Sequence, residues 1–263
     1  MAFSAPEGGL RKLGMAPQDA CRKGEGMDGM LEGFMHVWPW MGLGAAIVLI
    51  VLLFGTNALR STEGGTRWKD PTWFAWLAAV AYMIHNVEEY GIDFTGATLA
   101  FPQMMEGLMG AMPAWPFFLC VNLALVWVMG PLAAHLSRRW PALCFGMVGI
   151  EALNCLTHIP GAIALGAVGG GFFTAVFLFL PLVVWAFVGL CGKGGRFRYR
   201  VPTAYLCFGL LYHIGLFANM PFFVNGIYDG NVMGLEMLCV SAIVFALWVW
   251  YAKRAERRDR AQP

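Results

Sequence analysis

Val37 to Leu59 reads VWPWMGLGAAIVLIVLLFGTNAL, 23 residues without a charge. A helix rises about 1.5 Å per residue, so this run is long enough for a hydrocarbon core of about 30 Å. A cleaved signal peptide has a shorter apolar centre and a shorter leader than the 36 residues that come first here. The run is therefore read as a permanent span, and it sets the reading of the rest. Further apolar runs follow at about 72–93, 116–136, 140–160, 172–191, 203–226 and 231–252. Each is near 20 residues and lacks the ten-residue alternation of a barrel strand, so all are predicted to be α-helices. The expectation is an all-α, polytopic membrane helix bundle of about seven transmembrane helices, six if the first does not span.

Composition agrees. The chain has 263 residues, 59% of them apolar and only 13% Asp, Glu, Lys or Arg, whereas a soluble domain carries about a quarter charged residues. This excludes an ordinary water-soluble enzyme, a disordered tail and a disulfide scaffold. A formal charge of +2 gives no reason to expect a nucleic-acid partner. Seven cysteines without a CxxC pair, six of them in or beside apolar runs, read as small hydrophobes. The expected partner is the lipid bilayer, with a lipophilic small molecule as substrate; the oligomeric state is left open.

The loops supply the topology. Arg60, Arg67 and Lys69 follow the first span, Arg138 and Arg139 precede Trp140, Lys193, Arg196, Arg198 and Arg200 precede Pro202, and Lys253, Arg254, Arg257, Arg258 and Arg260 end the chain. The alternate connections contain no Lys or Arg. By the positive-inside rule the C-terminus is expected to be cytoplasmic. The expected layout is a polar N-terminal tail over 1–36, a bundle over 37–252 and a basic cytoplasmic tail over 253–263, in a multi-pass integral membrane protein of the cytoplasmic membrane if the source is bacterial. Seven spans put Arg11, Lys12, Arg22 and Lys23 outside, against the rule. The Gly-rich stretches Gly161 to Gly171 and Thr95 to Met112 are read as outer loops, the second as a candidate re-entrant segment.

Ionisable residues inside spans call for a reason, because a charge at a helix centre costs about 3 kcal/mol to insert. The second span runs into His85-Asn86-Val87-Glu88-Glu89, where spacings of three and four place His85, Glu88 and Glu89 on one face. In the fourth span Glu151, Asn154 and His158 form one helical stripe. Counted from the cytoplasmic end, His85 to Glu89 lie roughly 20 to 26 Å along their helix and Asn154 to His158 roughly 21 to 27 Å along theirs. Asn122, Asn219 and Glu236 reach a similar level, Glu151 lies deeper and His213 deeper still.

His85-x-x-Glu88-Glu89 followed by Asn154-x-x-x-His158 resembles the HXXEE domain family of integral membrane proteins, over about 72–191. The family's later Tyr-x-Pro-Gly element is replaced by Val168-Gly169-Gly170-Gly171, in which only the final glycine is kept, before Phe172-Phe173-Thr174-Ala175. The resemblance implies a polar, metal-binding membrane site and no particular reaction.

Two imidazoles with carboxylates make a mixed nitrogen and oxygen set suited to iron (Fe), manganese (Mn) or zinc (Zn). The expected metal ligands are His85, Glu88, Glu89 and His158. Glu88, Glu89 and Glu151 are the expected catalytic groups, with Asn154, Glu236 and His213 in support. No organic cofactor is expected, since Walker, CxxCH and HExxH motifs are absent. Three readings follow: a metal-dependent membrane enzyme with its site near the outer leaflet, acting on a lipid-soluble substrate; a small transporter or proton-coupled channel using the same residues; or a non-catalytic membrane partner whose polar layer serves assembly.

Overall fold

Asp70 starts the helix around which the others are arranged. Its carboxylate accepts hydrogen bonds from the backbone N–H groups of Thr72 and Trp73, and from Ser61 N–H and Oγ. It thereby satisfies first-turn donors that have no partner within the helix. Pro71 follows at the first helical position, where a missing N–H costs nothing.

The structure, a computed structural model, describes residues 29 to 61, 65 to 165 and 168 to 260. Arg11, Lys12, Arg22 and Lys23 lie outside the described residues. Among the described residues, eight helices follow one another apart from short 3-10 turns: α1 (Gly29–Gly55), α2 (Pro71–Asn86, continuing as a π-helical turn Val87–Gly91), α3 (Ala100–Met109), α4 (Trp115–Leu136), α5 (Phe145–Leu165), α6 (Phe172–Leu190), α7 (Arg200–Val224) and α8 (Gly230–Arg260). No strand occurs among the described residues. Six of these helices are long and apolar enough to cross a membrane: α1, α4, α5, α6, α7 and α8. The chain is thus a multi-pass, all-helical membrane protein.

Each of the seven expected runs is a helix, and the one outside that set of six is α2. His85, Asn86, Glu88 and Glu89 lower its hydropathy, and the same helix is the most enclosed. Trp73, Phe74, Ala78, Ala79, Tyr82, His85 and Tyr90 are all buried, on every side of it. α2 packs against α1, α4, α5 and α6. Lipid-facing apolar side chains such as Val48, Val51, Phe177 and Val188 belong to the surrounding helices.

Four boundaries differ from expectation, two of them because α5 runs on to Leu165, inside the stretch read as an outer loop from Gly161, and α8 runs on to Arg260, inside the basic tail. α1 begins at Gly29 and bends through a turn at His36 and Val37 before the apolar run. Within 95–112, which reads as loop from its glycines, Ala100–Met109 is a helix packed against the π turn at the C-terminal end of α2. The basic loops gather at the opposite end. Arg138 donates to the Ala58 carbonyl, Lys253 sits 4.6 Å from the centroid of the Trp140 ring, and Tyr251 donates to the Arg200 carbonyl at 3.2 Å.

α5 and α7 cross backbone on backbone. A Cβ on Gly149 would lie 2.5 Å from the Tyr205 carbonyl oxygen, and one on Gly209 would lie 2.6 Å from the Gly149 oxygen. Small residues permit this approach between membrane helices. One turn beyond the crossing, His213 of α7 meets Asn154 of α5.

Candidate metal centre

The centre forms where α2 changes register. Ile92 N–H bonds to the Val87 carbonyl at 2.8 Å, closing a π turn that contains Glu88 and Glu89. Such turns recur at functional sites because the extra residue re-aims the side chains around it. Here the two adjacent carboxylates take different partners.

Glu88 faces the first turn of α6. Its Oε1 accepts from Phe173 N–H at 2.9 Å, and its Oε2 accepts from Thr174 N–H at 2.7 Å and from the Thr174 hydroxyl at 2.5 Å. An acidic group from α2 therefore caps α6, where unpaired N–H groups and the positive end of the helix dipole favour a negative charge.

Glu89 faces the imidazoles. His85 Nε2 lies 3.2 Å and His158 Nε2 3.3 Å from the same oxygen, Glu89 Oε1. His85 is fully buried, Glu89 nearly so, and the ring centroids of His85 and His158 are 5.1 Å apart. On the far side of its ring, His85 Nδ1 is 2.6 Å from Thr174 Oγ1. Because the Thr174 proton goes to the Glu88 carboxylate, which only accepts, Thr174 Oγ1 accepts the bond from His85 Nδ1–H. A neutral His85 then carries its lone pair on Nε2, the nitrogen turned to Glu89. That nitrogen makes no hydrogen bond, although it is buried.

These distances suit a shared ion. Metal–ligand bonds of about 2.0–2.1 Å separated by 90° to 109° place neighbouring ligand atoms about 2.8–3.4 Å apart. The ligand atoms of His85, Glu89 and His158 all lie within 4.8 Å of one another. Two imidazoles and one carboxylate are a set used for zinc and for non-haem iron in sites that keep coordination positions open.

Gly171 makes room for the two rings. Its φ is +92°, and a Cβ there would come within 2.7 Å of Cε1 of both His85 and His158. The last glycine of Val168-Gly169-Gly170-Gly171 thus lies against both imidazoles.

A cavity of about 510 Å³ opens on this centre, with Glu89 and His158 in its wall. A second polar group lines it: Asn154 donates to the Tyr82 hydroxyl at 2.7 Å, and His213 Nε2 lies 2.8 Å from Asn154 Oδ1, with Nδ1 2.8 Å from the Gly209 carbonyl. A third joins α2 to α4, where Asn86 donates to Asn122 at 2.8 Å and Asn122 donates to the Tyr90 hydroxyl at 2.9 Å. Asp93, Thr95 and Gln103 line the cavity at its loop end.

The sequence-predicted residues therefore divide. Of the four expected ligands, His85, Glu89 and His158 converge, whereas Glu88 is turned onto α6. Asn154 and His213 bond to each other one step away. Glu151 is fully buried, neither of its oxygens has a hydrogen-bond partner, and it is not in the cavity wall. Glu236 is half-buried on α8 and is not among the three converging groups. Nothing in the sequence marks Thr174, Tyr82 or Tyr90 as part of a site, because a single Thr or Tyr on an apolar helix has no periodicity to single it out.

Residues 76–186 match the model of a family described as a protein of unknown function with HXXEE motif. The matched segment begins in α2 and ends in α6. All three converging residues, Gly171 and Thr174 lie inside it; His213 and Glu236 lie outside. No curated protein and no solved structure matches the chain.

Proposed function

We propose that His85, Glu89 and His158 hold one divalent metal ion, Fe, Mn or Zn, and that the protein is an enzyme acting on a lipid-soluble molecule bound in the adjoining cavity. The observation that carries this reading is the meeting of two imidazole Nε2 atoms on one carboxylate oxygen, with the His85 tautomer fixed from behind by Thr174 and Glu88. Three protein ligands leave open positions, and Glu89 and His158 face the cavity. A divalent ion held there would supply Lewis acidity and lower the pKa of bound water, or activate oxygen.

The chain's own residues do the rest. His85 and His158 present Nε2. Glu89 offsets the charge. Glu88 and Thr174 keep the His85 Nδ1–H committed to a hydrogen bond, as partners behind a metal-bound histidine commonly do. Phe101, Phe117 and Phe118 keep water away from the cavity and favour an apolar substrate. Glu88 serves as a positioning residue, and Glu151, outside the cavity wall, has no contact with the reacting groups.

Elemental analysis of the detergent-purified protein tests this. Near-stoichiometric Fe, Mn or Zn is expected, lost in His85→Ala and in His158→Ala with the helical circular dichroism unchanged. Metal-free wild-type protein that gains none on reconstitution overturns the proposal. Uptake into proteoliposomes that disappears in Glu89→Gln, in protein without metal, would instead support transport.

A further inference from the structure

Tyr82 and Tyr90 both line the cavity, and both are buried, at 6% and 1% exposure. Each hydroxyl accepts a hydrogen bond from an asparagine amide, Tyr82 from Asn154 and Tyr90 from Asn122. Each of those amides is held in turn by another buried side chain, His213 or Asn86. A phenol is both donor and acceptor. Among the described residues neither hydroxyl has an acceptor for its own proton, so two buried O–H donors border the same space as Glu89 and His158. A buried donor without a partner costs about 1–3 kcal/mol, and a ligand acceptor would recover part of that.

The charges in the wall narrow the acceptor. Glu89 and Asp93 line the cavity, and among the described residues no Lys or Arg does. With a divalent ion at the centre, Glu89 and Asp93 together balance its charge, so an anionic headgroup, whether phosphate or carboxylate, would meet no net positive charge in the wall. A carbonyl oxygen, with two lone pairs and no proton of its own, is the neutral acceptor that such donors match. The remaining wall is largely apolar, and a volume of about 510 Å³ is within the range that takes a molecule of drug or lipid-chain size.

We infer that the cavity binds an uncharged lipophilic molecule bearing a carbonyl group, with the hydroxyl protons of Tyr82 and Tyr90 donated to its oxygen. The inference rests on the proposed function in one respect, that the molecule bound here is the substrate of the His85, Glu89 and His158 centre.

The test is equilibrium binding to the full chain in nanodiscs of three probes with equal chain length: a long-chain methyl ketone, the corresponding alkane and the corresponding fatty acid. The ketone binds several-fold more tightly than either of the others. Tyr82→Phe and Tyr90→Phe each weaken the ketone about 3- to 10-fold, the worth of one neutral hydrogen bond. Alkane binding is unchanged in both variants, which shows that the cavity is still formed. Equal binding of ketone and alkane by the wild type, a ketone advantage that survives in both variants, or tighter binding of the fatty acid overturns the inference. Bound metal is measured on the same samples. Protein that prefers the ketone but never holds metal refutes the metal centre alone; protein that holds metal without preferring the ketone refutes this inference alone.

Discussion

Replacing Thr174 by Val removes one hydroxyl at almost constant volume, and the structure makes that hydroxyl the joint between α6 and the centre. It donates to Glu88 at 2.5 Å and accepts from His85 Nδ1 at 2.6 Å. The bond to a charged acceptor is worth about 1.5–3 kcal/mol, and leaving the His85 N–H without a partner costs about 1–3 kcal/mol. Only part of this falls on the metal, through the loss of the fixed tautomer and ring orientation. The loss of a partner behind a metal-bound histidine commonly weakens metal binding 10- to 100-fold, or about 1.4–2.8 kcal/mol. Thr174→Val is therefore expected to bind metal 10- to 100-fold more weakly, with helical content preserved because Glu88 keeps both backbone N–H donors. Thr174→Ser, which keeps the hydroxyl, stays within a few-fold of wild type. Competition against a chelator of known affinity, in one detergent at one pH, measures all three proteins. A Thr174→Val protein that binds metal as tightly as wild type would refute the role given to His85 Nδ1.

Other perturbations separate the centre from the scaffold. Gly171→Ala adds a Cβ 2.7 Å from a carbon of each imidazole at a φ of +92°, so the protein loses bound metal at least as completely as Thr174→Val does, by the same chelator competition. Gly209→Leu forces α5 and α7 apart where a Cβ would lie 2.6 Å from a backbone oxygen; the thermal midpoint in detergent falls and the His213 contact with Asn154 is lost, whether or not metal is present. Asp70→Ala removes the cap of α2 and lowers stability by about 1–2 kcal/mol, seen in thermal unfolding, while metal content is retained. Glu151→Gln leaves metal content unchanged, because this carboxyl does not reach the three ligands.

Long unbroken apolar runs made the helices legible, since each span has to satisfy its own backbone within the bilayer. The same logic marked α2, whose His85, Glu88 and Glu89 need partners inside the protein. Helix arithmetic also brought His158 to the height of His85 and Glu89, which fits the contact at 3.3 Å. What helix arithmetic leaves out is direction within a turn. An ideal 3.6-residue helix puts Glu88 and Glu89 on one face, whereas the π turn Val87–Gly91 sends Glu88 to α6 and Glu89 to the imidazoles. Nothing in the composition of Val87 to Gly91 announces that turn. Thr174 and Gly171 act through contacts some 86 residues away along the chain from α2, beyond the reach of any local pattern. The Tyr82 and Tyr90 hydroxyls likewise gain their meaning only from asparagines on other helices.

X-ray absorption at the edge of whichever metal copurifies gives the most direct test. Two imidazole nitrogens and oxygen ligands are predicted around the ion in wild-type protein, with the imidazole signal gone from His158→Ala, which loses the metal. A shell dominated by cysteine sulfur, or one that shows no imidazole scattering in the wild type, would contradict the assignment of His85, Glu89 and His158 as the ligands.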